Sequence, residues 1–304
     1  MTYLKIKFIL FSLVLMLVVV GCLSRATKEQ PNEVNRVSEE TSAPVDDYEV
    51  FKKFLDKASG YYEKNGGITS DVLKKQMLSG DCNIKLFSSG QRDVPFSFYN
   101  HTKEHVLIQG NLYKCDHCPD FHLRIETAFP ITEDGLCVSN YHVFKSYDPS
   151  KPNDYITSFV MDFKGEVYPV TEIIAASKQD DLCIFKIECP PSNFKPLKLG
   201  ADLRTGDEVQ LISHPDRRFF RLSKGHITRK YLKAGTSKIR QSISADIGTG
   251  SCGAPVFDIE GKVAGIVTGT ENVYYLPGNK GYQMTVKEIV PVSQLLKLIN
   301  TPSN

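Results

Sequence analysis

Two patterns of apolar residues divide the chain. From Asp47 to about Leu78, apolar residues recur at spacings of three and four, as they do on one face of an α-helix. The pair Gly66-Gly67 interrupts this run, and Ser70-Asp71 offers a cap for a second start. The pattern therefore predicts two helices, which we expect to pack on the outside of the region that follows.

From about residue 83 the apolar runs become short and lie between Gly, Asn, Asp and Pro residues. Many short strands with regular turns are typical of a β-sandwich or barrel. A last apolar run predicts a helix from Val292 to Ile299. The predicted strands are Ile84–Phe87, Val106–Gln109, Leu123–Ile131, Leu136–Ser139, Phe159–Asp162, Glu166–Ile174, Leu182–Ile187, Glu208–Ser213, His226–Thr228, Ile239–Ser244, Pro255–Phe257 and Lys262–Thr268.

The first 21 residues have the pattern of a secretory signal peptide. Lys5 and Lys7 precede an uncharged apolar run from Phe8 to Val20, which is too short to span a membrane. The run ends in Leu-Val-Val-Val-Gly-Cys, which resembles the lipobox of bacterial lipoproteins and implies that Cys22 is acylated as a lipid anchor. The alternatives are an uncleaved anchor and an ordinary signal with a chance cysteine.

Residues 22–46 are polar and acidic, as in a flexible tether that lifts a folded part off a membrane. The sequence thus predicts a signal peptide (1–21), a lipidated tether (22–46), a helical lead-in (47–82) and a folded domain (83–300). The bulk of the protein is expected outside the cytoplasm, anchored to a membrane of the bacterial cell envelope.

Composition and charge limit the class of protein. The 304 residues are 41% hydrophobic and 24% charged, which is ordinary for a globular protein with an ample core. The formal charge is +2, and removal of Lys5 and Lys7 with the signal leaves as many basic as acidic residues. A nucleic-acid-binding protein usually has a basic surplus, so we expect no nucleic-acid partner.

The stretch ADIGTGSCGAPVF, residues 245–257, carries the clearest chemistry. Its glycines flank Ser251 and Cys252, and glycine suits positions with positive φ or a close backbone approach. Such a segment can point backbone N–H groups at an oxyanion while it exposes a nucleophile. A cysteine suits that role because a thiolate is intrinsically nucleophilic. The alternative is a Gly-rich hairpin with a buried cysteine.

Two upstream segments complete a pattern. His142 follows the run Leu136–Ser139, and Asp181 precedes the run Leu182–Ile187; the intervals from His142 to Asp181 and on to Cys252 are 39 and 71 residues. Over residues 120–275 this order resembles the trypsin-like (chymotrypsin-fold) peptidases, specifically the bacterial HtrA/Deg-like branch. The resemblance implies a mostly β fold of two antiparallel six-stranded β-barrels, at about 83–195 and 196–290, with the active site between them and no cofactor.

The resemblance also implies residue roles. His142 is the base and Asp181 the orienting acid, with Asp180 as the alternative acid. Cys252 replaces the family's nucleophilic Ser, as in picornavirus-type peptidases with a Gly-x-Cys-Gly core, while Ser251 lies one residue too early. The backbone N–H groups of Gly250 and Cys252 would form the oxyanion hole.

Specificity and partners are less defined. Asp246, six residues before Cys252, lies where trypsin-like enzymes keep the floor of the first specificity pocket, although HtrA-like sequences carry an acid there without a trypsin-like preference. We expect peptide or protein substrates, no PDZ domain, and structural or pocket-lining roles for His214 and His226. The rival function is a catalytically inactive, peptide-binding lipoprotein; the oligomeric state is left open.

The chain has eight cysteines, of which Cys115 and Cys118 form a Cys-x-x-Cys motif with His122 four residues beyond. This motif is half of a zinc site if Cys82, His101 or His105 completes it. A local disulfide is the plainer interpretation outside the cytoplasm, and a reduced pair is the third. We therefore expect no metal; a redox or metal-binding lipoprotein centred on this motif is a second rival function. Cys183 is expected to be a buried strand residue.

Overall fold

The computed structural model describes residues 44–78, 98–115, 117–145, 155–190, 193–276 and 278–300. The predicted signal peptide, nearly all of the tether, Cys22, Cys82 and the predicted strand Ile84–Phe87 lie outside them. The helices are α1 (Asp47–Asn65), α2 (Ser70–Gln76), α3 (Phe98–Thr102) and α4 (Val292–Ile299), with 3₁₀ helices at Lys103–His105, Tyr141–Phe144 and Pro215–Arg217. Among these helices none is long and apolar enough to cross a membrane.

The described strands form two closed antiparallel barrels of six strands each, in the orders β1-β2-β3-β6-β5-β4 and β10-β11-β12-β9-β8-β7. The prediction of a mostly β fold with two such barrels and a short helical N-terminal segment is confirmed. The first barrel contains β1 (Leu107–Lys114), β2 (Phe121–Pro130), β3 (Leu136–Ser139), β4 (Tyr155–Met161), β5 (Val167–Ser177) and β6 (Leu182–Ile187). The second contains β7 (Glu208–Ser213), β8 (Arg221–Leu232), β9 (Ile239–Ile243), β10 (Pro255–Phe257), β11 (Val263–Leu276) and β12 (Lys280–Pro291).

Apolar side chains from the two barrels pack together in a shared core. Phe129 and Val138 of the first barrel pack in one buried cluster with Phe257 and Ile266 of the second, and Leu295 of α4 joins them. Each barrel also has its own buried interior. Burial of apolar surface contributes about 25 cal/mol per Å², so this shared cluster holds the facing surfaces of the barrels together.

Several elements differ from the sequence-based expectation: α3 and β12 were not predicted, and β8 extends well beyond the predicted His226–Thr228. The side chain that caps α2 is Thr69, whose hydroxyl accepts the N–H of Val72, so the cap lies one residue before the predicted start. The predicted strand that ends at Thr268 continues to Leu276 and pairs with β12. Beyond Gly269 much of this hairpin is exposed, including the apolar side chains of Tyr275, Leu276, Tyr282 and Met284, so backbone pairing rather than burial holds it.

Helix α1 contacts both barrels. Phe54 is fully buried against β1, where a Cβ on Gly110 would lie only 2.7 Å from the Phe54 ring. At the start of the helix, the carboxylate of Asp47 accepts the N–H of Phe219 at 2.9 Å. The guanidinium of Arg217 lies 4.1 Å above the ring of Phe51. The helix therefore joins the outer face of the first barrel to the loop that follows β7.

Candidate active site

His142 and Asp181 meet at one edge of the first barrel. Because β3 and β6 pair antiparallel, the 3₁₀ helix after β3 lies beside the turn before β6. Nδ1 of His142 is 2.8 Å from Oδ2 of Asp181, and the His142 backbone N–H donates to Oδ1 at 3.0 Å. The turn is fixed by Asn140, whose side-chain amide donates to the Asp181 carbonyl at 2.9 Å. This arrangement sets the ring orientation and leaves Nε2 of His142 for chemistry.

The neighbouring acid, Asp180, is engaged elsewhere. Its Oδ2 accepts the hydroxyl of Ser177 at 2.9 Å, so the structure pairs Asp181 rather than Asp180 with His142. The hydroxyl of Thr268 donates a further hydrogen bond to Oδ2 of Asp181. Sequence reasoning missed Thr268, although it is the polar residue that ends an apolar strand run.

Cys252 lies in a glycine-bounded loop that the first barrel holds in place. Gly250 and Gly253 have φ of +95° and +85°, and a Cβ on either would come within 2.4 Å of a backbone oxygen. Thr127 of β2 donates its N–H to the Cys252 carbonyl at 2.9 Å and its hydroxyl to the Gly250 carbonyl at 2.7 Å. Only glycine fits these two positions. The hydrogen bonds from Thr127 hold the loop directly against β2.

Ser251, the neighbouring nucleophile type, points away from the cleft. It is fully buried, and its hydroxyl lies 3.0 Å from the hydroxyl of Ser213. The same oxygen accepts the N–H of Gly248 at 3.2 Å. Ser251 therefore supports the loop from inside the second barrel.

The charges of His142 and Cys252 depend on each other. Burial lowers the pKa of His142, but hydrogen bonds and charge from Asp181 and Cys252 raise it more, to about 11. Burial raises the pKa of the Cys252 thiol; His142 lowers it, and the carboxylates of Glu126 and Asp181 raise it. A protonated imidazole thus favours a thiolate beside it, while burial and two carboxylates oppose that thiolate.

The backbone N–H groups of Gly250 and Cys252 are the predicted oxyanion donors. Among the described residues, neither the N–H of Gly250 nor that of Cys252 donates to a backbone carbonyl, whereas the N–H groups of Ser251 and Gly253 both do. The N–H of Gly250 lies near the carboxyl group of Glu126, so a developing oxyanion would share this donor with that carboxyl group.

Glu126 of β2 is an acid at the edge of this site that sequence reasoning missed. Its carboxylate is almost fully buried; Oε1 lies 3.3 Å from Nε of Arg124, and Oε2 has no hydrogen-bond partner in the structure. Burial raises the pKa of Glu126, and the charges of Arg124 and His142 and the nearby N–H of Gly250 lower it only in part. The available signal was a charged residue inside the apolar run Leu123–Ile131.

Asp246, predicted to bind substrate, is in a different setting from a pocket floor. Its side chain is 61% exposed and lies 2.5 Å from Nζ of Lys287 and 3.7 Å from a guanidinium nitrogen of Arg221. Lys287 accordingly lowers the pKa of Asp246. The carboxylate is already neutralised by two cations, and its substrate-binding role stays a prediction.

His214 has a structural setting, as the sequence suggested. It is fully buried; Nδ1 accepts the N–H of Phe220 at 3.1 Å, so Nε2 carries the hydrogen and donates to the Leu107 carbonyl at 3.2 Å. Burial lowers the pKa of His214 to about 3, which keeps the ring neutral. Cys183 is fully buried in β6, as expected.

The structure brings Cys115, Cys118 and His122 together at the end of the β1–β2 hairpin. Sγ of Cys118 lies 3.2 Å from Sγ of Cys115 and 3.0 Å from Nε2 of His122, and the thiols are free. His101 and His105 precede β1, whose eight residues span about 26 Å, so they lie at the far end of that strand.

Comparisons with known proteins identify similar sequences and folds. Residues 126–266 match the family model of the trypsin-like peptidase domain. The chain is 29% identical over 146 residues to a probable periplasmic serine endoprotease, DegP-like, of Brucella suis, which covers 47% of this chain and 27% of that relative. A DegP-like relative in Hahella chejuensis is 25% identical over 244 residues, covering 80% of this chain and 47% of the relative. The chain thus matches from about a quarter to a half of these relatives' lengths.

A relative with a different name has a similar segment. The anti-sigma-I factor RsgI9 of Acetivibrio thermocellus is 32% identical over 134 residues, covering 43% of this chain and 17% of that protein. Among solved structures, the HtrA-type protease AlgW with decapeptide matches with a TM-score of 0.53 at 17% identity, covering 67% of this chain and 66% of that one. Deg5 matches with a TM-score of 0.51 at 20% identity, covering 66% and 91%. These structures agree in fold.

Replacement of Glu126 by Gln is expected to make Cys252 more reactive. The change removes the carboxyl group whose charged form raises the thiol pKa, so the pH profile of Cys252 alkylation should move to lower pH. Above the pH at which Glu126 ionises, the rate should rise on the order of tenfold, the scale of one charge interaction of about 1.4 kcal/mol. The measurement is iodoacetamide labelling of Cys252 from pH 5 to 10, followed by mass spectrometry.

Glu133→Gln, at the exposed turn after β2, is the control that removes one acidic charge elsewhere. An unchanged Glu126→Gln profile would contradict the assigned influence of Glu126 on the thiol.

Proposed function

We propose that the chain, whose residues 126–266 match the trypsin-like peptidase domain, is an endopeptidase of the HtrA type that uses Cys252 as its nucleophile. The observation that carries the proposal is the hydrogen bond of His142 to Asp181 at 2.8 Å, with the Cys252 thiol near enough to raise the pKa of the His142 ring. The Cys252 sulfur donates to the Thr268 carbonyl at 3.6 Å, and the Thr268 hydroxyl donates to Asp181. A nucleophile, a base and an orienting acid in this order are the components of triad chemistry.

The reaction is acyl transfer through a thioester. The pair reacts with its one shared proton on His142: the Cys252 thiolate attacks the peptide carbonyl carbon, and the carbonyl oxygen becomes an oxyanion between the N–H groups of Gly250 and Cys252. On collapse the carbon–nitrogen bond breaks, and His142 gives its proton to the leaving amine. Water then loses a proton to His142 as its oxygen attacks the thioester, and the thiol leaves with that proton. Asp181 holds the imidazole and stabilises its charged form.

A specific observation favours a second candidate, a peptide-binding protein without catalysis. The Glu126 carboxylate lies near the N–H of Gly250, where it opposes both a thiolate and an oxyanion. One relative of this domain is named as an anti-sigma factor rather than as a protease. In this alternative the cleft binds a peptide, and Cys252 is a thiol of ordinary reactivity.

We place the protein outside the cytoplasm, attached to a membrane through lipid on Cys22. The apolar run before Cys22 and the lipobox resemblance support the anchor, and relatives named as periplasmic support the compartment. Acylation of one cysteine adds burial energy of about 0.8 kcal/mol per CH₂, and several chains on one residue hold a protein stably on a bilayer.

The anchor is tested with Cys22→Ser in cells fed a labelled fatty acid. We expect wild-type protein to carry label and sediment with membranes, and the variant to lose the label and sediment far less. Cys82→Ser is the matched control and should behave as wild type. Unlabelled wild-type protein would refute acylation.

The nucleophile is tested with a fluorogenic protein substrate and an alkylating probe. Cys252→Ala and His142→Ala should each lower kcat/KM by at least about 10³-fold, because members of a triad act as a unit. Cys189→Ala, which removes a half-buried thiol elsewhere, should retain wild-type hydrolysis.

Hydrolysis that survives in Cys252→Ala would show that another group attacks. Absence of hydrolysis, together with Cys252 labelling that is equally slow with and without His142, would favour the peptide-binding protein.

A further inference from the structure

A basic pocket borders the candidate active site. A cavity of about 400 Å³ is lined by His142 and Asp181 on one wall and by Thr268–Thr270 of β11 on another. The turn before β6 and the turn between β8 and β9 close it, and the amide of Gln179 joins the two turns by donating to the hydroxyl of Ser237 at 3.0 Å. The five basic side chains that line the cavity are Lys145, Lys178, Lys233, Lys238 and Arg240.

The acids around the pocket do not balance these cations. Asp181 is engaged by His142, and Glu288 is engaged by Nζ of Lys233 at 2.8 Å and by the hydroxyl of Tyr231 at 2.5 Å. Within the described ranges, no carboxylate oxygen lies within 4 Å of the charged nitrogens of the remaining four, Lys145, Lys178, Lys238 and Arg240. The cavity therefore has a positive potential next to the catalytic histidine.

Arg240 places one of these positive charges at a fixed position in the pocket. The residue is only 3% exposed, and within the part of the chain that the structure describes its guanidinium makes one hydrogen bond, from Nη1 to the carbonyl of Ile239 at 2.8 Å. A guanidinium has five N–H donors in a planar fork that matches a carboxylate. A buried cation without an anionic partner is unfavourable, so an anion from outside the chain would supply the missing contact.

We propose that this pocket binds the side-chain carboxylate of a Glu or Asp residue in the peptide substrate, close to but not at the scissile bond. This rests on the proposed function, since the same wall that supplies His142 to the reaction lines the pocket. A ligand held there is a few residues from the reacting carbonyl, because each extended residue spans about 3.3 Å. The volume suits one acidic side chain with its water.

The test measures binding apart from cleavage. Cys252→Ala protein is titrated with fluorescent octapeptides that carry Glu or Gln at each position in turn. At one position, Glu should bind about tenfold more tightly than Gln, and this ratio should fall as salt rises from 50 to 500 mM because screening weakens exposed charge interactions. Inorganic phosphate, as competitor, tests whether a free anion is the preferred ligand.

The double variant Lys178→Gln, Lys238→Gln, made in Cys252→Ala, should bring the Glu-to-Gln ratio near one, whereas Lys52→Gln on the exposed face of α1 should preserve it. Equal binding of Glu and Gln peptides at every position would overturn the proposal, as would phosphate binding without any Glu preference. Glu-selective binding with no hydrolysis by wild-type protein would refute only the peptidase function. Hydrolysis without acidic selectivity would refute only the pocket.

The Cys115–Cys118–His122 cluster carries a separate inference. The three ligand atoms all lie within 4.8 Å of one another. Thiolates and imidazoles bind zinc at about 2.3 and 2.1 Å, which separates neighbouring ligands by roughly 3.5–3.8 Å. The observed separations of 3.2 and 3.0 Å need to widen by only about half an ångström to reach that spacing. Tyr113 stacks on the His122 ring at 5.2 Å between centroids, which limits the ring's rotation.

The geometry points to a zinc-binding site formed by these three residues at the tip of the β1–β2 hairpin, with a fourth position for another ligand. This set of two soft sulfur donors and one imidazole nitrogen is the kind zinc prefers. The contact of the His122 imidazole with the Cys118 sulfur distinguishes the site from a simple Cys-x-x-Cys disulfide, because a disulfide needs no imidazole beside it.

The test uses full-length protein purified under reducing conditions. Metal analysis should find one zinc per chain, lost from Cys118→Ser and kept by Cys189→Ser. Cobalt substitution should give thiolate charge-transfer absorption that Cys118→Ser lacks and that His122→Asn shifts, a readout independent of folding yield. Metal-free protein with a Cys115–Cys118 bridge would overturn the inference, and so would metal-free protein with both thiols reduced.

Discussion

The candidate site depends on the hydrogen bonds that join β2 to the loop that carries Cys252. Thr127 gives two hydrogen bonds to this loop, and Gly253 donates its N–H to Val267 of β11. The sulfur thus takes its position from both barrels, while His142 takes its own from the first. Each hydrogen bond contributes only about 1 kcal/mol to the free energy of folding, so their main effect is to position the loop that carries Cys252. A sulfur and an imidazole on different barrels can react only if the barrels are joined at this point.

Charge in the cleft is divided between two opposing groups. Lysines and a buried arginine make the region beyond Asp181 positive, while Glu126 puts a buried carboxylate beside the oxyanion donors. In a surrounding of low polarity, a carboxylate near the thiol opposes the effect of the imidazole on the thiol pKa. The state of the Cys252–His142 pair is therefore set by all these neighbours as well as by the two residues themselves.

The sequence was sufficient to predict the fold and the pairing of His142 with Asp181. Turns and short apolar runs identify the strands, and the ordered spacing of His142, Asp181 and Cys252 carries long-range information that no single segment has. Thr268 and Glu126 were missed because their importance arises from side chains that approach across strands. The hairpin of β11 and β12 was missed because backbone pairing sustains it without a buried apolar face. Arg240 gave no signal, since a basic residue in a strand reads as exposed.

Helix α1 extends the functional unit beyond the peptidase-like segment. The segment recognisable by family resemblance begins at residue 126, yet α1 packs Phe54 under β1 and holds the loop after β7 through Asp47 and Phe219. The loop after β7 also contacts the loop that carries Cys252, because Asp216 donates its N–H to the carbonyl of Thr249 at 2.6 Å. A fragment trimmed to the recognisable segment would lack the contacts of α1 with β1 and with the loop after β7. The smallest portion of the chain suited to biochemical work therefore starts no later than the cap of α1 at Asp46.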